Sequence, residues 1–156
     1  QLDQIDRRFV PHILVVQRGA EVAFPNSDSV AHHVYSFSKP NDFRLPLYKG
    51  TPPDPVRFEH EGIVTVGCNI HNDMLAYVAV VDTPHFALTG SAGLAALQVG
   101  DRSGGSGGGT DWSPRNRGKK GYRTLEVPAG ESSVAFRLEK KLRSPHQQGQ
   151  GRSRDF

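Results

Sequence analysis

The 156-residue chain predicts an all-β sandwich, and three observations carry that expectation. Short runs of alternating polar and apolar residues recur through its first half, each bounded by turn-forming residues. Seventeen glycines and eleven prolines beside a hydrophobic content of 36% suit a turn-rich protein with a modest core. No helical period competes with the alternation in that half, which argues against a helical bundle. Several short strands separated by turn signals belong to sandwiches and barrels.

The elements follow in order. Residues 12–17 form a strand-like run, and Arg18-Gly19 marks a turn. Residues 21–24 alternate as a half-buried strand does. Asn26 to Ser29 is turn chemistry, and residues 32–37 return to strand. Lys39-Pro40-Asn41-Asp42 breaks the pattern. Residues 43–48 alternate again, with Phe43, Leu45 and Leu47 on one face. Pro46 restricts that run to an edge or an irregular extended segment. A proline-rich loop spans 50–55. Residues 56–58 and Gly62–Cys68 follow as strands, joined by Glu59-His60-Glu61. Leu75–Val81 is apolar enough to be buried on both faces or nearly so.

From Asp82 onward the pattern weakens. Residues 86–88, 94–99, 122–127 and 133–138 are strand candidates. Between them, residues 100–121 hold 8 of the 17 glycines and read as a flexible connection. The expected organisation is a β domain over 1–82, a small β-rich extension with a glycine-rich loop over 83–142, and a disordered tail over 143–156.

Charge is unevenly spread. Residues 1–82 carry 7 Lys/Arg against 10 Asp/Glu, and residues 83–156 carry 12 against 6. The basic excess lies mainly in Arg115, Arg117, Lys119, Lys120, Lys140, Lys141 and the Arg-containing end. Such a run can touch anionic lipid or nucleic acid. A solvated basic linker and tail is the reading adopted, with no nucleic-acid partner. No stretch approaches the roughly 20 apolar residues of a membrane-spanning helix. One cysteine excludes an internal disulfide.

That cysteine and the only methionine lie in one stretch, Cys68-Asn69-Ile70-His71-Asn72-Asp73-Met74. A thiolate, an imidazole and a thioether on a short loop between two strands suit copper. Cys and His bind it strongly in a trigonal arrangement, and Met binds weakly along the axis. A second histidine is required, and His32 or His33 supplies it from a strand-like segment. Alone, Cys68 reads as a buried inert thiol, Met74 as core filler and His71 as a surface residue. Their spacing together points to a metal. His12, His60, His85 and His146 read as surface, linker or tail residues.

This pattern resembles the cupredoxins, in particular their plastocyanin-like and amicyanin-like members and the methylamine utilization proteins. The Cys-x-x-His-x-x-Met loop matches the short ligand loop of amicyanin. Phe24-Pro25-Asn26 matches the Phe-x-Asn strand end that leads to the first histidine ligand. Ala31-His32-His33 stands where plastocyanins show Pro-His-Asn, which places His32 on the ligand position. The resemblance covers roughly residues 4–82. It implies a Greek-key β-sandwich holding one mononuclear copper ion at one end, with His32, Cys68, His71 and Met74 as ligands. It also implies a type 1 (blue) copper protein: a periplasmic or extracellular one-electron carrier whose signal peptide has been removed. Its partners would be redox proteins such as a c-type cytochrome, and electrons would leave through His71 and an apolar patch drawn from Ile70, Leu75 or Pro40. His33 departs from the family pattern, because an asparagine usually buttresses the site there. Asn72 and Asp73 replace less polar residues of the amicyanin loop.

Other functions are set beside this one. A non-redox copper-carriage module or a ligand-binding β-sandwich would use the same residues without electron turnover. Structural zinc fits poorly, because thioether is a poor zinc ligand. An enzyme is not expected, since all ligands come from the protein and no coordination position stays open for substrate. Haem attachment is excluded, because Cys68 lacks the partner cysteine of Cys-x-x-Cys-His.

Overall fold

A computed structural model describes residues 1–51, 54–97, 106–111 and 121–126. The chain divides into two compact units, Gln1–Leu97 and Gln98–Phe156. No helix occurs among the described residues, and the elements are strands throughout, as the alternation predicts.

In the first unit, β3 (Ile13–Gln17), β5 (Val34–Ser36), β6 (Phe43–Arg44), β8 (Gly62–Cys68) and β9 (Leu75–Val81) build one five-stranded sheet. Its order is β3-β9-β8-β5-β6. β3 runs parallel to β9, and the other neighbours are antiparallel. β4 (Glu21–Val22) pairs with β7 (Val56–Arg57) outside that sheet. The turn expected at Arg18-Gly19 is present, with Gly19 at φ 84°.

Alternation decides which residues face inward. Val34 and Ser36 from β5, Val64, Val66 and Cys68 from β8, and Ala76, Val78 and Val80 from β9 are buried. The hydrophobic members of that set pack in one cluster with Leu2, Phe9, Val22, Phe24 and Phe58, which lie outside the sheet. The core is therefore the space between two β layers. Met74 belongs to the same cluster.

Three expectations change. First, β1 (Asp3–Ile5) and β2 (Arg8–Val10) form an antiparallel hairpin ahead of the first expected strand. Its turn residues Asp6 and Arg7 both take positive φ, 50° and 56°. Two-residue turns of that kind favour Asn-Gly or Asp-Gly, so Asp-Arg gives no warning of it. Second, Leu47 was expected to share a face with Phe43 and Leu45, but it is 61% exposed. Pro46 has no N–H to continue a ladder, and β6 has already ended at Arg44. Third, residues 86–88 are not a strand, nor are residues 94–97 of the expected run 94–99, whose last two residues lie outside the described ones.

In the second unit, β10 (Ser106–Asp111) pairs antiparallel with β11 (Gly121–Glu126). β10 falls within the glycine-rich stretch expected to be a connection. Glycine weakens a strand without forbidding it, and the alternating residues of β11 supply the pairing edge. The strand candidate at 133–138 and the tail at 143–156 lie outside the described residues.

Candidate metal centre

Cys68 ends β8, so the sheet itself delivers its sulfur to the rim of the core, where the residue is 4% exposed. The following loop folds back at once. Met74 N–H donates to the His71 carbonyl at 3.0 Å, and Asn69 N–H donates to the His33 carbonyl at 3.1 Å. His32 arrives from the far side of the site. It exchanges a pair of backbone hydrogen bonds with Tyr48, His32 N–H to Tyr48 O at 2.9 Å and Tyr48 N–H to His32 O at 3.0 Å.

Strand parity separates the two neighbouring histidines. His32, Val34 and Ser36 are buried, whereas His33 and Tyr35 are half-buried and Phe37 is exposed. His33 therefore projects to the outer face of the sheet, where its ring lies 6.4 Å from that of Tyr35. His32 is fully buried and faces the cysteine.

Three donors converge. His32 Nδ1 lies 3.1 Å from His71 Nδ1, and Cys68 Sγ lies 3.7 Å from the first and 3.8 Å from the second. The point equidistant from the corners of that triangle is about 2.1 Å from each donor, on the scale of a bond between a transition metal and imidazole or thiolate. Among the described residues, His32, Cys68 and His71 are the group with metal-ligand geometry. The fourth expected ligand, Met74, is buried at the end of the same loop with 2% exposure. His71 is the half-buried member of the donor triangle.

The donor set is oriented from behind. His32 Nε2 lies 3.0 Å from Asp28 Oδ2. An ionised carboxylate only accepts, so Nε2 carries a proton and Nδ1 is the ring nitrogen that faces His71 and Cys68. A carboxylate on the far nitrogen is the usual way a metal-binding imidazole is fixed. Hydrogen bonds from the Arg7 N–H and then from the His32 ring hold the Asp28 carboxyl down at about 2, so it is ionised at neutral pH. Asp28 was expected only as turn chemistry. Its position four residues before a candidate histidine ligand is the signal that would have singled it out.

A buried polar network supports the segment between Asn26 and His32. Asn26 Nδ2 donates to the carbonyls of Val30 (2.9 Å) and Tyr48 (3.0 Å), and Asp28 N–H donates to Asn26 Oδ1 at 3.0 Å. Tyr48 O–H donates to the Phe24 carbonyl at 2.6 Å and accepts from Gln4 Nε2. Burial pushes the Tyr48 phenol up to about 12. A phenol whose folded value is raised stabilises the fold fully below its unfolded value near 10. That contribution is lost as pH rises from about 10 to about 12. Denaturant midpoints measured across this window should fall more steeply for the parent than for Tyr48→Phe, and parallel curves would refute the assignment.

No protein-family model matches the sequence, and no curated protein matches it. Among solved structures, the chain is similar to an amicyanin variant in its reduced Cu(I) form at pH 4, with 20% identity and a TM-score of 0.47. That match covers 51% of this chain and 79% of the other. It is also similar to a purple cupredoxin from Nitrosopumilus maritimus, with 23% identity and a TM-score of 0.42, over 52% of this chain and 100% of the other. An oxidised amicyanin variant gives 20% identity and a TM-score of 0.46 over 51% and 79%.

Proposed function

We propose that the chain is a type 1 copper protein of the cupredoxin kind, carrying single electrons between redox proteins in the periplasm. The observation that carries this reading is the triangle of His32, Cys68 and His71 donors, with sides of 3.1, 3.7 and 3.8 Å. Its size fits one ion, and its chemistry of two imidazoles and a thiolate is the trigonal set that suits copper.

In this reading the Cys68 thiolate and the Nδ1 atoms of His32 and His71 would hold the ion, with the Met74 thioether as the weaker fourth ligand. When bound, copper supplies a one-electron couple. The protein's part is to keep its ligands still. Cys68 is anchored by the β8 ladder, and His32 by Asp28 and by its pairing with Tyr48. Burial keeps external oxidants away from the thiol, whose oxidation would destroy the ligand. His71, half-buried beside the 52%-exposed Ile70, is where a partner such as a c-type cytochrome would approach.

Adding Cu(II) to the metal-free protein should give an intense thiolate-to-copper absorption in the visible and a narrow copper hyperfine splitting. Electron self-exchange in the loaded protein should be fast. A coloured but slowly exchanging protein would indicate copper carriage without electron transfer, and a colourless adduct would overturn the type 1 assignment.

A further inference from the structure

We propose that the N-terminal hairpin is a working part of this metal site: the backbone N–H of Arg7, acting through Asp28, positions the His32 ring. The inference rests on the copper reading above and adds to it the element that sets the geometry of one ligand. Arg7 N–H donates to Asp28 Oδ2 at 2.7 Å, and the same oxygen accepts His32 Nε2–H at 3.0 Å. The other carboxylate oxygen accepts Ser29 N–H at 2.8 Å. The carboxylate is thus held from two sides by main-chain donors while it holds the imidazole. The Arg7 side chain takes no part in this arrangement.

The hairpin is fixed firmly enough to act as a reference. Leu2 N–H donates to the Ala23 carbonyl at 2.9 Å, and Gln4 N–H to the Pro25 carbonyl at 3.1 Å. Ser27 donates through N–H and Oγ–H to the two oxygens of Asp3, at 3.2 and 2.9 Å. Leu2 and Phe9 are buried in the common core. β1 is therefore stitched along residues 23–27, and its turn meets Asp28 at the next residue. The two consecutive positive φ values at Asp6 and Arg7 cost conformational energy in non-glycine residues. They bring the Arg7 N–H to the carboxylate. A ring free to turn about its side-chain torsions would leave the donor triangle, and this chain of two hydrogen bonds opposes that turn.

The test removes one hydrogen. Replacing the peptide N–H of Arg7 by an ester oxygen keeps every side chain and deletes the donor. Removing such an outer partner typically weakens metal affinity about 10–100-fold, and that loss of Cu(II) affinity is expected for the ester and for Asp28→Ala alike. Asp28→Asn, which retains an acceptor oxygen, should recover part of it. The ester combined with Asp28→Ala should bind no more weakly than Asp28→Ala alone. An ester with parental affinity, or losses that add in full, would overturn the proposal. Should the ester protein not fold, the contrast between Asp28→Ala and Asp28→Asn tests the same link, and equal affinities in those two would contradict it. If the parent gives no thiolate-to-copper absorption, the copper reading has failed separately. Positioning is then read in the metal-free protein as a slowly exchanging His32 Nε2–H resonance in nitrogen-15 NMR. Its exchange should quicken at least about tenfold in the ester or in Asp28→Ala, and unchanged exchange would refute the link.

Discussion

Replacing Cys68 by serine is expected to abolish the intense visible absorption of the Cu(II) protein altogether while leaving a folded β protein. The sulfur is the one soft donor in the triangle. Ligation takes the thiolate form of cysteine, whereas a serine hydroxyl stays protonated and offers a hard, neutral oxygen. His32 and His71 would still present two imidazoles 3.1 Å apart, so weak copper binding would persist without the colour. Far-ultraviolet circular dichroism separates loss of the site from loss of the fold. Retention of the parental visible spectrum in Cys68→Ser would show that the thiolate is not a ligand.

Phe24→Ala is expected to destabilise the fold by about 3–5 kcal/mol, the range for deleting a buried phenylalanine. That is a large share of the roughly 5–15 kcal/mol available to a domain. Phe24 is fully buried between the two layers, its ring centroid 5.3 Å from that of Phe43. Its carbonyl accepts the Tyr48 O–H, which belongs to the network under the His32 segment. A cavity at this position should also loosen the metal site. The shift of the denaturant midpoint at unchanged slope measures the effect, and a loss below about 1 kcal/mol would contradict the central place given to Phe24 in the core.

The longest strands were legible residue for residue, since Gly62–Cys68 and Leu75–Val81 are β8 and β9 with the bounds their sequences suggest. Seven residues of alternating or continuous apolar character leave little room for another register. The strands β3 to β7 fall inside wider expected runs, because local pattern does not reveal where a partner strand stops, and β11 begins one residue before the expected run 122–127. The hairpin β1–β2 was not legible, since a positive-φ turn made from Asp6 and Arg7 carries no glycine. β10 was hidden for the opposite reason, its glycines imitating a linker.

At the candidate site, the ligand types and loop spacing singled out Cys68, His71 and Met74. The choice between His32 and His33 was harder to read from residues alone, because both parities of that segment carry apolar or aromatic groups: Val34 on one side, Tyr35 and Phe37 on the other. Burial separates them. The link from Arg7 to Asp28 runs through a main-chain N–H to a residue 21 positions away, and no residue type advertises such a contact.

X-ray absorption at the copper edge of the loaded protein tests the central claim most directly. Two imidazole nitrogens and one short sulfur in the first shell are the result the donor triangle predicts. A shell of nitrogen and oxygen without sulfur would show that the ion binds elsewhere, and the electron-carrier reading would fall with it.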